Sequence, residues 1–492
     1  MKRKLLIITA VIGISPILYS FCGFYVSKAD GGLKNKTSQV ILVREGNHNV
    51  ITMYNDFKGD TKDFAMVVPV PVVLKKNDIH VVDASIFQRL NDYSAPRLVE
   101  YYDRNPCYGN DDEMVKANSA PMALSEVVVS VYGAKRKDLG VKIEAQYLVG
   151  EYDILILSAK ESNGLKEWLT SNGYKIPASA EEVLDPYIKS NLKFFVVKVN
   201  ENEKKKLNNN FLRPIQIKFN SPKFMLPIRL GMANADGDQD LIVYAFTAKG
   251  RVECTNYRNV EMPSGKNIPL FVQKNFSAFY SNLFTHQWEN ESKNIGMLEY
   301  AWDVSPQNFM KCDPCVAAAP NQQDLVQAGV FWLQKDWTDY SDTEDGEDNY
   351  TISNNVYFSR LHFRYNRKNF PQDLAFQVTP NKENFQARYI ITHPAPGDLG
   401  CAAGKKYLQE LKQRRKNELK ELTALTGKDI SNWQDEMAAG EDEINDKKVA
   451  YSTLLKESKE NNPGSENTGT GLLIIGMAAI GGAGLVKWRG MI

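Results

Sequence analysis

Histidine is scarce in this chain of 492 residues: five are present, at positions 48, 80, 286, 362 and 393, and no two stand at helical ligand spacing. That excludes the paired-histidine zinc hydrolases and makes each histidine read first as a surface or hydrogen-bonded core residue. No glycine loop followed by Lys-Ser or Lys-Thr is there to cradle phosphate, and no glycine-flanked serine to act as a nucleophile. An excess of one charge is missing too. Sixty Lys and Arg against 59 Asp and Glu leave a net +1, so bulk electrostatics recruits neither nucleic acid nor an anionic surface. These absences argue for a binding or structural protein before an enzyme, and they imply no cofactor and no nucleic-acid partner.

What is present begins at the ends. MKRKLLIITAVIGISPILYSFCGFYV places Lys2, Arg3 and Lys4 ahead of an apolar run from Leu5 to Leu18, the pattern of a secretory signal peptide over 1–20 with cleavage near Ser20. Cys22 suggests a lipidation site, but Phe21 stands where a lipobox needs Gly or Ala. At the other end no charge interrupts Gly471 to Val486, and Lys487 and Arg489 follow at once. Sixteen helical residues reach about 24 Å, near the lower limit for a bilayer core of about 30 Å. With the signal removed, the positive-inside rule wants basic residues where they are found. The expectation is an exported body with a C-terminal transmembrane or sorting segment over 471–492, joined by a polar linker at 459–470, with the body on the periplasmic or extracellular side. The membrane is then one partner, and an envelope protein or surface ligand another.

Between the ends the pattern is α+β. QVILVREGNHNVITMYND reads as two strands around a turn, and DFAMVVPVPVV as an edge or irregular strand, because proline lacks the ladder donor. DIHVVDASIFQRLNDYS has helical spacing, with Asp83 or Ser85 as N-cap. SEVVVSVYGA, VKIEAQYLVGEYDILILSA, LKFFVVKVN and the run from RPIQIKFN to DLIVYAFTA return to strand, with helices at GLKEWLTSNGY and AEEVLDPYIKSN. NFSAFYSNLFTHQWEN reads as a helix, and GVFWLQKDW, NVYFSRLHFRYNR and FQARYIITHP as strands. The expected units are a first β-rich body over 21–250 and a second over 251–400. A charged helical hairpin or stalk follows over 401–458, where Leu408, Leu411, Leu419, Leu422 and Leu425 line one face and Ser431 to Gln434 resembles a capping box.

Six cysteines, at 22, 107, 254, 312, 315 and 401, form an even set in an oxidising compartment, which favours disulfides. Cys312 and Cys315 flank Asp313-Pro314. Zinc needs four ligands, and no second close pair completes a set. A redox dithiol draws support from Pro314 before the second cysteine and from a helix that Asp313-Pro314 could begin. Against it, VAAAP allows little more than one turn before Pro320. A structural role is favoured, with the two bonded to each other or each to a partner such as Cys107 or Cys401. Two acidic stretches are candidate calcium loops. The thirteen residues from Asp336 to Asp348 hold seven carboxylates, and NADGDQD places Asp236, Asp238 and Asp240 at alternate positions. Neither fits a known calcium-loop register.

Together the segments DFAMVVPVPVVL, YSAPRLVEYYDRNPC, VKIEAQYLVGEYDILILSAKESNGLKEWLTSNGYKIP, LPIRLGMANADGDQDLIVYAF, TNYRNVEMP, YAWDVSPQNFMKCDPC and YIITHPAPGDLGC resemble the bacterial domain of unknown function 2330. The collinear likeness runs from CGFYVSKAD to the charged helix YLQELKQRRKNEL and places Cys22, Cys107, Cys312, Cys315 and Cys401 in motif segments, with Cys254 outside them. The resemblance implies export and a single extended fold, and it brings no catalytic residue. Three readings follow: a non-enzymatic, membrane-anchored envelope module stapled by disulfides; a thiol-disulfide oxidoreductase using Cys312 and Cys315; and a calcium-stabilised adhesion protein.

Overall fold

Alternating apolar residues explain the architecture. In the strand Ser38–Glu45, Val40 and Leu42 point into one core while Ile41 and Val43 point into another; in Gln239–Thr247, Leu241, Val243 and Ala245 part in the same way from Ile242, Tyr244 and Phe246. A strand with two apolar faces belongs inside a layered structure, and these two lie side by side, in parallel, at its centre. The computed structural model of the protein describes residues 24–25, 38–54, 65–108, 140–172, 180–207, 212–234, 237–334, 354–439 and 449–460. The expected signal peptide, Cys22, the strand at SEVVVSVYGA, the acidic loop 336–348, the linker from residue 461 on and the apolar C-terminal segment lie outside them.

The main sheet has nine strands. In spatial order eight are Arg258–Glu261, Ile295–Asp303, Tyr357–Tyr365, Gln239–Thr247, Ser38–Glu45, His48–Tyr54, Ile215–Asn220 and Ile79–Val81, with Phe385–Gln386 pairing beside strand 295–303. A five-stranded sheet runs Phe24–Tyr25, Ala65–Val70, Lys193–Val199, Tyr152–Ala159 and Val141–Val149. The two sheets face each other across one core, where Val40, Ile51 and Leu241 meet Met66, Ile154 and Val197. Helices Ser162–Ser171 and Ala180–Lys189 cover the outer face of the smaller sheet through Leu165, Trp168 and Leu184. Helices Ser85–Ser94, Phe276–Asn290 and Ala402–Thr426 cover the outer face of the larger. The result is four layers, helix, sheet, sheet, helix, which is the α+β class in sheet-rich form.

The structure refines several expectations. Strands 38–54 and 357–365 fall as read, and Pro69 sits where the two-residue strand Phe24–Tyr25 no longer pairs, since that strand reaches only Met66 and Val67. Asp83 accepts the Ser85 amide at 2.8 Å at the start of helix 85–94. GVFWL is not a strand: Phe331–Leu333 forms a turn of 3-10 helix, because its three aromatic and aliphatic side chains all bury in one cluster, which alternation would prevent. Ser431 does not cap the helix that follows. It lies inside the 3-10 turn Ile430–Trp433 that leads into that helix, and Asp429 caps the turn by accepting the Ser431 amide at 2.8 Å, while Trp433 buries.

The boundary expected at residue 250 is crossed by the main sheet, in which strand 239–247 pairs with strand 357–365 over nine residues. The charged helix expected as a stalk lies against the body. Leu419, Leu422 and Leu425 join Phe279, Leu283 and Tyr389 in one core cluster, so the leucine stripe has a partner inside the fold. Gly427 ends this helix in the left-handed region (φ 62), and a Cβ there would collide with the His286 ring. Among the described residues no helix is long and apolar enough to cross a membrane.

Candidate functional site

Strand 295–303 runs antiparallel to strand 357–365, but the register slips between Leu298, opposite Leu361, and Tyr300, opposite Arg360. Glu299 is the extra residue of this β-bulge. Leu298 and Ala301 keep their places in the inter-sheet core, and the Glu299 carboxylate points the other way, under the helices. On strand 357–365 the odd residues Leu361, Phe363 and Tyr365 also take the inter-sheet side, which sends Arg360, His362 and Arg364 to the helix side. Three basic side chains in one row thus face the Glu299 carboxylate, and the bulge puts the neighbouring Tyr300 on the same side.

The contacts are close. Arg360 Nε donates to Glu299 Oε2 at 2.5 Å, and His362 Nδ1 lies 2.8 Å from Glu299 Oε1. The Tyr280 hydroxyl, from helix 276–290, donates to the same Oε1. Arg360 Nη1 reaches Asn91 Oδ1 at 3.0 Å and Ser94 Oγ at 3.4 Å on helix 85–94, with its guanidinium over the Tyr244 ring. Arg364 binds Asp240 through two bonds of 2.8 and 3.1 Å, and His362 Nε2 lies 3.5 Å from Asp240 Oδ1. Phe284 stacks on the His362 ring at 4.0 Å. The histidine is therefore held between two carboxylates and under an aromatic lid.

The side chains of Glu299 and Arg360 are 0% and 4% exposed, so each charge depends on the others. Burial alone would raise Glu299, but Arg360 and His362 outweigh it and bring the carboxyl down to about 2. Burial would lower His362, but Glu299 and Asp240 outweigh it and hold the imidazole above its ordinary value. Asp240 is likewise held below the usual carboxylate range, where burial is overcome by His362 and Arg364. Closed to solvent, this assembly can lock the outer helices to the sheet and hold a proton; it offers a substrate no way to its carboxylate. The sequence does carry its signal: a lone acid inside the apolar run GMLEYAW, and RLHFR with a base at every second position.

Among the described residues the cysteines form two bonds. Cys107 joins Cys401 across 294 residues, tying the segment after strand Arg97–Tyr102 to the N-cap of helix 402–426. Cys312 joins Cys315, so the close pair bonds to itself, and Cys254 is free and buried. No helix begins at Asp313-Pro314; the chain stays irregular until the short helix Gln322–Gln327. The dithiol reading therefore loses the helix N-terminus expected to stabilise a thiolate. Cys312 is buried and Cys315 is an exposed residue.

Of the candidate calcium ligands, Asp240 is committed to Arg364, and the Asn366 amide donates to Asp238. Among the described residues no group of three or more His, Cys, Asp or Glu is placed to hold a metal ion. A polar groove of about 640 Å³ runs between Gly265–Asn267 and helix 402–426, and its charges are mostly paired, Lys266 with Glu421 at 3.1 Å and Arg414 with Asp103 at 2.6 Å. Of the remaining histidines, His393 pairs with Glu100 at 2.9 Å and stacks on Tyr102, while His286 lies 3.1 Å from the Asn290 amide.

Residues 16–377 match the model of a family described as "Uncharacterized protein conserved in bacteria (DUF2330)". The match takes in the bulge, the basic row and the pair at 312 and 315, and ends before Cys401 and helix 402–426. No curated protein and no solved structure matches the chain.

Proposed function

The chain belongs to the DUF2330 family of bacterial proteins, and from that premise we propose that it is an exported, membrane-anchored binding or structural module of the cell envelope. The Cys107–Cys401 bond carries this reading. A disulfide between residues 294 apart closes only once the fold has brought them together, and it persists where thiols are not kept reduced, outside the cytoplasm. The basic and apolar segments at the two ends support the same topology. The buried charge cluster serves the scaffold in this account, because its carboxylate is sealed from any substrate. Protease added to spheroplasts tests it: the body is digested while cytoplasmic markers survive, and carbonate-washed membranes retain the undigested chain. A body protected until the cells are lysed would overturn the reading.

One observation favours thiol-disulfide exchange as a second reading, the exposure of Cys315. A substrate thiolate would attack Cys315 Sγ and expel Cys312 as thiolate; a second substrate thiol would then release an oxidised substrate and a reduced pair. Burial of Cys312 works against that leaving group. Cys312→Ala leaves the Cys315 thiol without a resolving partner, so an exchanging site accumulates a mixed disulfide and a structural one does not.

A further inference from the structure

The loop that carries the close disulfide turns apolar side chains into solvent. Phe309 is fully exposed, Met310 is 71% and Val316 57% exposed, in a protein whose other large apolar groups are mostly packed. The loop is held there by its backbone. Trp302 Nε1 donates to the Met310 carbonyl at 2.8 Å, and the Tyr300 and Tyr93 hydroxyls both donate to the Lys311 carbonyl. Arg97 binds the Pro314 carbonyl at 3.1 Å and Arg388 the Asp313 carbonyl at 3.0 Å, while the Cys312–Cys315 bond closes the turn. With the carbonyls of 310 and 311 drawn inward, the side chains of Phe309 and Met310 face out. Such a display has already lost the backbone entropy that docking would otherwise cost.

We propose that Phe309, Met310 and Val316 form a membrane-contact loop that inserts into the interface of the bilayer to which the chain is anchored. This rests on the anchored reading above. The described chain ends at Glu460, and ten residues separate it from the uncharged run that starts at Gly471. That linker reaches at most about 35 Å, which keeps the body within one protein diameter of the bilayer. At that effective concentration a contact of three apolar side chains, too weak to recruit a free protein, is populated. The chemistry fits lipid: the three side chains present no strong hydrogen-bonding group, and the charges around them are balanced, Lys311 facing Asp303 and Arg388 pairing Asp313 at 3.2 Å.

The test uses the full chain carrying Phe309→Trp, reconstituted in vesicles of phosphatidylethanolamine and phosphatidylglycerol with bromine on the acyl chains near the headgroup. The difference in emission from wild type isolates the introduced indole. Quenching of that difference several-fold above the average of the native tryptophans is expected, along with protection from aqueous iodide. If the chain floats with the vesicles and the indole stays open to iodide and untouched by bromine, the loop proposal is overturned while anchoring stands. If the chain does not float, anchoring fails, and the loop proposal, which needs the tether to hold the body at the bilayer, is overturned with it. Iodide protection that grows with protein concentration in lipid-free detergent would assign the loop to contact between copies and also overturn the proposal.

Discussion

Glu299→Ala is the sharpest perturbation of the scaffold. It deletes a fully buried carboxylate and leaves Arg360 and His362 without their shared partner, and Tyr280 without its acceptor. Breaking a buried pair from one side costs about 3–5 kcal/mol, because the remaining charge is stranded. A body of roughly 350 residues melts with an entropy of about 0.7 kcal/mol/K, at about 2.1 cal/mol/K per residue, so the loss corresponds to a fall in Tm of about 4–7 °C. Scanning calorimetry at neutral pH measures it. The companion variant combines Glu299→Leu with Arg360→Met and replaces both charges with apolar groups. It should lose less than the sum of the two single changes, since Arg360 no longer stands as a buried charge without its carboxylate, while the loss at His362 and Tyr280 is counted once. A Glu299→Ala protein melting within about 1 °C of wild type, or a double variant losing the full sum, would refute the claim that Glu299 holds together an interdependent charge cluster.

The same cluster sets a pH profile. Glu299, lowered to about 2, contributes stability that is complete above its ordinary 4.5 and is lost as pH falls toward 2; His362, raised, contributes stability that is complete below 6.5 and is lost as pH rises through its folded value. His362→Gln should therefore flatten the alkaline side of a plot of urea midpoint against pH; an unchanged slope would remove His362 from the account. Replacing Cys107 and Cys401 together by Ala should cost up to about 5 kcal/mol by the chain-entropy argument, read as a lower denaturant midpoint with a steeper slope, because the freed unfolded chain exposes more surface. Gly427→Ala meets both the left-handed backbone and the His286 ring, and should destabilise by about 1–3 kcal/mol in the same assay. After mild reduction, iodoacetamide should label Cys315 well before Cys312; equal rates would contradict the burial difference.

Much of the fold was legible because it rests on period. The runs 38–54 and 357–365 alternate, and the leucines of 402–426 repeat on one helical face, so their elements follow from spacing alone. What those faces touch was not legible. The leucine stripe looks the same on a free stalk as on a helix packed against Phe279 and Tyr389. Strand 295–303 escaped because Glu299 breaks its apolar run, and a bulge is set by the partner strand and not by the strand's own residues. The 312–315 bond was one of the open alternatives, and tertiary placement alone decides for it, since Cys107 is drawn to Cys401 by the pairing of strand 97–102 with strand 388–393.

The central claim is that a disulfide-stapled body lives outside the cytoplasm. Differential thiol alkylation with peptide mapping, on protein quenched in acid directly from growing cells, tests it most directly. The account predicts that Cys107 and Cys401 are recovered joined, that Cys312 and Cys315 are recovered joined, and that Cys254 takes a reagent only after unfolding. Recovery of Cys107 and Cys401 as free thiols, labelled before any reductant is added, would contradict it.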